Sequence, residues 1–330
     1  MTNLSKQIEK DFIEMLDKYH SLPEIWDNEA DAMIASWYAN PPRVFPKRDH
    51  PYFSPSGATM CPRALYHKAK RDPKDVEVKQ PHQTRWAGIG TVIGDYLQSE
   101  LIKIERNYEK HVGERPRFMF EYTKDERPMF EEFAKTNFIV HHGGESFYIY
   151  GQPDGVMTYL TDDGELVRVG LEIKSKQQSP SHTSVKSMKG PQDSHVAQTA
   201  LYADMYDADY QLIVYVNGAK RAWDMDKEEY ESFPDVRAFC RKVERAEQEE
   251  IYDKFAEITR CIKADKPPMP DLDEWKFNPY KQTIAKTLTD DEFEELKQIV
   301  TKCLRSGLPQ YVKKNYHDAY EYIKSVREES

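Results

Sequence analysis

The stretch Tyr150 to Lys176, YGQPDGVMTYLTDDGELVRVGLEIKSK, decides the fold of this 330-residue chain. Residues Gly155–Leu160 and Leu166–Lys174 read as strands joined across Thr161-Asp162-Asp163-Gly164, whose central Asp-Gly is a hairpin signal. Alternate side chains of a strand share a face. Val167, Val169, Leu171 and Ile173 therefore point one way, toward the core. Arg168, Gly170, Glu172 and Lys174 point the other way, which sets Glu172 and Lys174 side by side on a polar face. Asp154 opens the preceding strand, so pairing brings it beside Glu172. Two adjacent carboxylates make a hard-oxygen site for Mg²⁺ or Mn²⁺. A lysine next to them can hold an attacking water, help take its proton and offset charge on a phosphorane-like transition state.

An E-x-K triplet alone is weak, and the chain has four: Glu77/Lys79, Glu172/Lys174, Glu274/Lys276 and Glu295/Lys297. Only the second sits in an apolar-alternating strand behind a Pro-Asp-Gly. Its bland alternative is a surface ion pair on a solvated sheet face. Downstream, His195 to Tyr202 reads as helix, with Gln198 and Tyr202 at i, i+4 on one side, suited to orienting a carboxylate, a lysine or a phosphate. The alternative there is ordinary helix-surface polarity with Tyr202 half-buried.

The combination Pro153-Asp154, Glu172-Ile173-Lys174 and Gln198-x-x-x-Tyr202 resembles the PD-(D/E)XK nuclease superfamily, and within it the RecB/Cas4-like branch that includes bacteriophage-encoded exonucleases. The segment Ser54 to Tyr66, with Cys61 and Arg63, resembles the N-terminal segment of Cas4-like proteins. The resemblance covers residues 54–285. It implies an α/β fold (α+β, restriction-endonuclease-like), with a central mixed β-sheet flanked by helices and helical N- and C-terminal additions. It also implies a metal-dependent DNA exonuclease acting at DNA ends. Asp154, Glu172 and the Ile173 carbonyl would hold Mg²⁺ or Mn²⁺, Lys174 would position the water, and Gln198 and Tyr202 would steady the site. DNA is the implied partner, with a phage or host single-strand-binding or recombination protein as a further one.

Two departures from the family pattern stand out. Gly94 occupies the place of the usual metal-binding His in Gly90-Thr-Val-Ile-Gly94-Asp95, which makes Asp95 the candidate replacement ligand or a plain solvent-facing residue. The stretch Trp275 to Ile284 has cluster-like spacing, but Trp, Asn and Ile stand where cysteines would. An iron–sulfur cluster needs about four ligands, so none is expected; packing around Trp275 and Tyr280 closes the same region, and Cys61 reads as a small buried residue. The Gly94 departure keeps open a DNA-end-binding recombination accessory protein with a weakened site, and the same chemistry also fits a structure-specific endonuclease.

Composition narrows the rest. Lys+Arg number 47 against 57 Asp+Glu, a formal net charge of −10, which argues against indiscriminate coating of nucleic acid. Two stretches run the other way. Residues 41–71 hold seven basic side chains and one acid, and residues 173–190 hold Lys174, Lys176, Lys186 and Lys189 with no acid. Arg63, Arg85, Lys176, Lys186 and Lys189 are the candidate phosphate contacts. No apolar run approaches the ~18–20 residues of a membrane span. Met1 to His20 reads as neither signal nor anchor, and the four scattered cysteines form no disulfide framework, so a cytoplasmic setting is expected. The histidines offer no competing site: His141 and His142 fall on opposite strand faces, and His195 reads as a helix-surface residue.

The organisation expected is a helical extension over 1–50, a nuclease core over 51–265 and a helical extension over 266–330. Two short helices run to Asn40, broken at Ser21-Leu22-Pro23, and a helix starts near Ser56 or Gly57. A long helix over 83–108 carries Ile89, Ile93, Leu97, Leu101 and Ile104. Strands follow at 117–122, 137–141 and 147–150. After the hairpin come a helix at 193–207, a strand at 210–216, the turn Asn217-Gly218 with a partner strand at 220–225, a helix over 227–264, a proline-rich break over 267–279 and a helix over 289–326.

Overall fold

The computed structural model describes residues 4–76 and 78–329; Met1 to Asn3, Ser330 and Glu77 of the Glu77/Lys79 pair lie outside the described residues. In chain order the elements are α1 (Leu4–His20), α2 (Asn28–Ala39), β1 (Tyr52–Phe53), α3 (Pro62–Lys70), α4 (Pro81–Val112), β2 (Phe118–Phe120), α5 (Glu131–Ala134), β3 (Thr136–His142), β4 (Glu145–Gly151), β5 (Gly155–Leu160), β6 (Leu166–Lys176), α6 (Asp193–Met205), β7 (Tyr210–Asn217), α7 (Lys227–Ser232), β8 (Val236–Arg241), α8 (Arg245–Lys263), α9 (Lys281–Thr287), α10 (Asp290–Arg305) and α11 (Gln310–Glu328). The chain divides into two compact units. The first takes the chain up to Pro46, Lys79–Phe138 and Tyr150–Gln248; the second takes Lys47–Val78, Ile139–Ile149 and Glu249 onward.

The first unit is built on a five-stranded mixed sheet in the order β2-β5-β6-β7-β8. β5 and β6 pair antiparallel, β6 and β7 run parallel through the α6 crossover, and β8 returns antiparallel on β7. One face buries Val169, Leu171, Ile173, Leu212 and Val214 with Ile8 and Phe12 of α1 and Leu97, Leu101 and Ile104 of α4. The other buries Ile213, Tyr215 and Phe239 with Met188 and Val196. Helices thus cover both faces, as a sheet with a parallel crossover requires.

The second unit has a three-stranded sheet, β1-β4-β3, with β1 parallel to β4. Phe53 stacks on Phe255 at 4.3 Å. A separate core gathers Cys61, Leu272, Trp275, Tyr280, Ile284, Leu296 and Ile323. Cys61 is buried there, as expected, and its Sγ accepts the Asp271 N–H at 3.3 Å.

The α/β architecture of mixed sheets flanked by helices matches the expectation, and four local expectations need correction. The partner of β7 is not a strand at 220–225 but β8. Asn217 is buried and serves as a loop tie: its amide donates to Ser179 O and Thr183 Oγ1, both at 2.9 Å. The helix expected over 227–264 is α7, β8 and α8, because Pro234 interrupts it and Ala238 and Cys240 alternate inward along a strand. The helix over 289–326 breaks between α10 and α11, around Gly307 and Pro309. Finally, Arg63 is no surface phosphate contact. Its side chain is 0% exposed, with Nη1 at 3.0 Å from Glu292 Oε1 and Nη2 donating to Thr287 O at 2.7 Å.

Candidate active site

The hairpin of β5 and β6 positions the acidic residues. Its turn needs Gly164, whose φ of +82° belongs to the left-handed region that glycine tolerates. At the open end the ladder finishes at Gly155 opposite Leu171. A Cβ on Gly155 would stand 2.6 Å from Phe120 Cε1, so the glycine after Asp154 is a packing requirement. Asp154 lies one residue beyond, and its Oδ2 accepts the Ile173 N–H at 2.6 Å. The carboxylate bonds to β6 just beyond the end of the β5 ladder, between Glu172 and Lys174 in the chain, and so is fixed beside them.

Glu172 is 3% exposed, which removes the bland alternative of a solvated surface pair. Lys174 Nζ stands 2.5 Å from Glu172 Oε1. Gln198 Nε2, from α6, donates to the same oxygen at 2.9 Å, and Lys174 donates to Gln198 Oε1 at 3.2 Å. Three side chains from a strand and a crossover helix thus close a triangle. Tyr202, one turn on, donates to Gln152 O at 2.5 Å and lies 3.5 Å from Gln198 Nε2, tying α6 to the segment before Asp154. Burial, and next the charge of Asp154, push the Glu172 carboxyl above its ordinary range against the pull of Lys174 and Gln198. Burial likewise raises Asp154, opposed by the Ile173 N–H and Lys174 and reinforced by Asp95.

The acidic field is wider than the motif. Asp95 of α4 acts on Asp154, and burial raises its own carboxyl. Glu131, the first residue of α5, was missed by the sequence reading. It sits at φ +44°, donates its N–H to Pro153 O at 2.9 Å, and has its carboxyl pushed up to about 7 by burial, then by Asp95 and Asp154. A non-glycine residue held at positive φ beside these acidic side chains is stored backbone strain. Gln98 was also missed. It is 1% exposed, its Nε2 donates to Asp154 O at 2.8 Å, and its Oε1 has no partner. A Cβ on Gly94 would meet nothing within 4 Å. The α4 side chain that hydrogen-bonds the Asp154 backbone carbonyl is Gln98, one turn beyond the glycine. Its signal was a polar residue inside the stripe of Leu97 and Leu101; for Glu131 no local signal exists.

The candidate phosphate contacts separate. Lys176 and Lys189 line a cavity of about 490 Å³ together with Trp86. Arg85 and Lys186 are exposed. His195 is not a free surface histidine: its Nδ1 lies 2.8 Å from the Tyr215 hydroxyl, which also accepts the Gln192 N–H at 2.9 Å. Burial, then Lys174 and Lys176, push its imidazole down to about 3, so it stays neutral.

No family model matches the chain, and no curated protein matches it in sequence. Solved structures overlap it in part. The crystal structure of SSO0001 is 14% identical, with a TM-score of 0.41, over 79% of this chain and 95% of that one. The alkaline exonuclease LHK-Exo from Laribacter hongkongensis is 12% identical, with a TM-score of 0.35, over 65% of this chain and 89% of that one. The same exonuclease in complex with dAMP gives 13% identity and a TM-score of 0.32 over 64% and 88%.

The donor set fits a hard divalent cation. Among the described residues no three His, Cys, Asp or Glu side chains form a ready cage. Mg²⁺ asks less, taking one or two carboxylates and keeping water in its other positions. Asp154 and Glu172 supply the carboxylates and the partnerless Oε1 of Gln98 a neutral oxygen. A cation there would also relieve the mutual repulsion of the Asp95, Glu131, Asp154 and Glu172 carboxylates.

Proposed function

We propose that the chain is an Mg²⁺- or Mn²⁺-dependent deoxyribonuclease of the PD-(D/E)XK type that hydrolyses phosphodiester bonds at DNA ends, as the RecB/Cas4-like resemblance implies. The observation that carries the reading is the Glu172–Lys174–Gln198 triangle, with Glu172 and Gln198 buried, beside the carboxylate of Asp154. Asp154 and Glu172, with the Ile173 carbonyl and with Asp95 or Gln98 from α4, would hold the cation. When bound, the cation supplies Lewis-acid polarisation of the phosphate and a lowered pKa for water.

The side chains do the rest. Lys174, held by Glu172 and Gln198, steadies the attacking water and offsets the charge that grows on the phosphate oxygens. Gln198 fixes the lysine's direction, and Tyr202 braces the strand entry at Gln152. Water adds to phosphorus, the P–O3′ bond breaks, and the departing oxygen takes a proton. One product carries a 5′-phosphate and the other a 3′-hydroxyl.

The test is digestion of end-labelled linear duplex, linear single strand and covalently closed circles with Mg²⁺, Mn²⁺ or EDTA, beside Lys174→Ala. Stepwise release of nucleotides from linear DNA only, lost with EDTA and with the variant, is the expected result. Cutting of closed circles would convert the reading to an endonuclease. Binding of ends with no cleavage under either metal would leave a recombination accessory protein.

A further inference from the structure

The cavity lined by Trp86, Lys176 and Lys189 lies at the far end of β6 from the hairpin turn, two residues past Lys174 on the same strand face. His182, Ser187 and Gln192 complete its wall. The end of β6 and α4 meet closely here. A Cβ on Gly90 would stand 2.9 Å from Ser175 Oγ, and Gln177 Nε2 donates to Trp86 O at 3.2 Å and to Ser175 Oγ at 3.3 Å. These contacts hold Trp86, 44% exposed, at the cavity rim one turn before Gly90.

The charge around the cavity is one-sided. Residues 79–94 and 173–192 contain no Asp or Glu in a chain of net charge −10. Lys176 Nζ lies over the Tyr215 ring at 5.0 Å and Lys189 Nζ donates to Val185 O at 3.0 Å. Among the described residues neither ammonium has a carboxylate partner, whereas Lys174 has Glu172. An ammonium without a counter-charge, next to an exposed aromatic face and a set of amides and hydroxyls, lacks three things: an anion, a flat ring and hydrogen-bonding edges. A nucleotide has all three, and ~300–1,000 Å³ is the usual range of small-ligand sites.

We propose that this cavity receives one unpaired nucleotide of a single strand, its base stacked on Trp86 and its phosphate between Lys176 and Lys189, adjoining the Lys174 site. The inference deepens the nuclease reading and rests on it for the direction of the strand. A base inside a duplex offers its edge to a groove and its face to its neighbours, so Trp86 can stack only on a base that is unpaired or at an end. Lys176 follows Lys174 by two residues, about 7 Å along a strand, comparable with the separation of successive phosphates. The site therefore selects single strands or frayed ends over closed duplex.

Equilibrium binding in EDTA, where no cleavage occurs, tests this with a fluorescent oligothymidylate and a fluorescent, relaxed, covalently closed duplex circle. Trp86→Ala is expected to weaken the oligothymidylate by roughly 5- to 150-fold, the range of base–aromatic stacking. Trp86→Phe should keep most of the affinity, and binding of the closed circle should be unaffected. Lys176→Gln with Lys189→Gln should lower the slope of log affinity against log salt by about 0.7, one single-strand phosphate neutralised. Unchanged oligothymidylate binding by Trp86→Ala, an equal loss on the closed circle, or competition by free thymidine monophosphate as strong as by the strand would each overturn the inference. The nuclease reading fails separately. A wild-type chain that binds through Trp86 and never cleaves with Mn²⁺ sinks that reading and leaves the pocket standing. A chain that cleaves while Trp86→Ala binds as wild type does the reverse.

Discussion

Lys174 Nζ and Glu172 Oε1 stand 2.5 Å apart on the sheet face that α6 covers, and Gln198 bonds to both. On the nuclease reading proposed above, this pair would hold and orient the attacking water. Lys174→Ala is expected to lower DNA hydrolysis by about 10²–10⁴-fold, the usual contribution of a positioned acid or base. Lys174→Arg should not rescue it, since a planar guanidinium does not fit the pocket of an ammonium. The alanine variant also leaves Glu172 buried beside Asp154 with one partner fewer, costing about 1–3 kcal/mol of stability. Hydrolysis in Mn²⁺ and urea denaturation measure the two losses, and near-normal hydrolysis would reduce the pair to a structural contact.

Asp154→Asn separates stability from function. Burial already favours the uncharged carboxyl of Asp154, and Asn keeps an oxygen for the Ile173 N–H. The folded carboxyl holds its proton to higher pH than the unfolded one, so native stability falls as pH rises through the folded value. A neutral isostere escapes that fall. The variant should be more stable than wild type by about 0.5–2 kcal/mol in EDTA at alkaline pH, with the gain vanishing in acid, and should lose hydrolysis. A destabilised Asn variant at alkaline pH would show that Asp154 is needed charged for folding.

The hairpin and its site were legible because their information is local. Asp-Gly sets the turn, period two sets the face, and Asp154, Glu172, Lys174, Gln198 and Tyr202 all meet within one unit. What stayed hidden was nonlocal. Glu131 reaches the acidic field through backbone at positive φ and a bond to Pro153, neither of which leaves a pattern in sequence. Gln98 looked like one polar residue in an apolar stripe. Arg63 has the composition of a phosphate contact, and only its partner Glu292, 229 residues away, shows it to be internal. The β8 strand was lost to the helical period of the charged residues around it, although Pro234 marked the break.

Arg63→Ala should act on folding. The guanidinium is fully buried and ties Glu292, itself the capping-box partner of Thr289 at the start of α10, to Thr287 O. Removing it leaves a cavity and an uncompensated carboxylate, a loss of about 3–5 kcal/mol. Urea denaturation followed by tyrosine and tryptophan fluorescence measures this. The salt dependence of DNA binding, taken where the variant remains folded, should match wild type. A reduced salt slope with unchanged stability would return Arg63 to the DNA surface.

Glu131 sets a pH signature. Burial, then the charges of Asp95 and Asp154, push its folded carboxyl up to about 7 from an ordinary 4.5. Between those values the native state holds a proton the unfolded chain has released, so stability falls as pH rises across the window and levels off above it. Glu131→Gln should flatten that part of the profile. A divalent cation competes with protons for the same acidic field, so Mn²⁺ should raise the denaturation midpoint more on the alkaline side of the window than on the acid side. Thermal denaturation of wild type and Glu131→Gln across the window, with and without Mn²⁺, separates the two effects. A slope that survives Glu131→Gln would assign the proton to another carboxyl, and a Mn²⁺ gain independent of pH would place the ion away from this cluster.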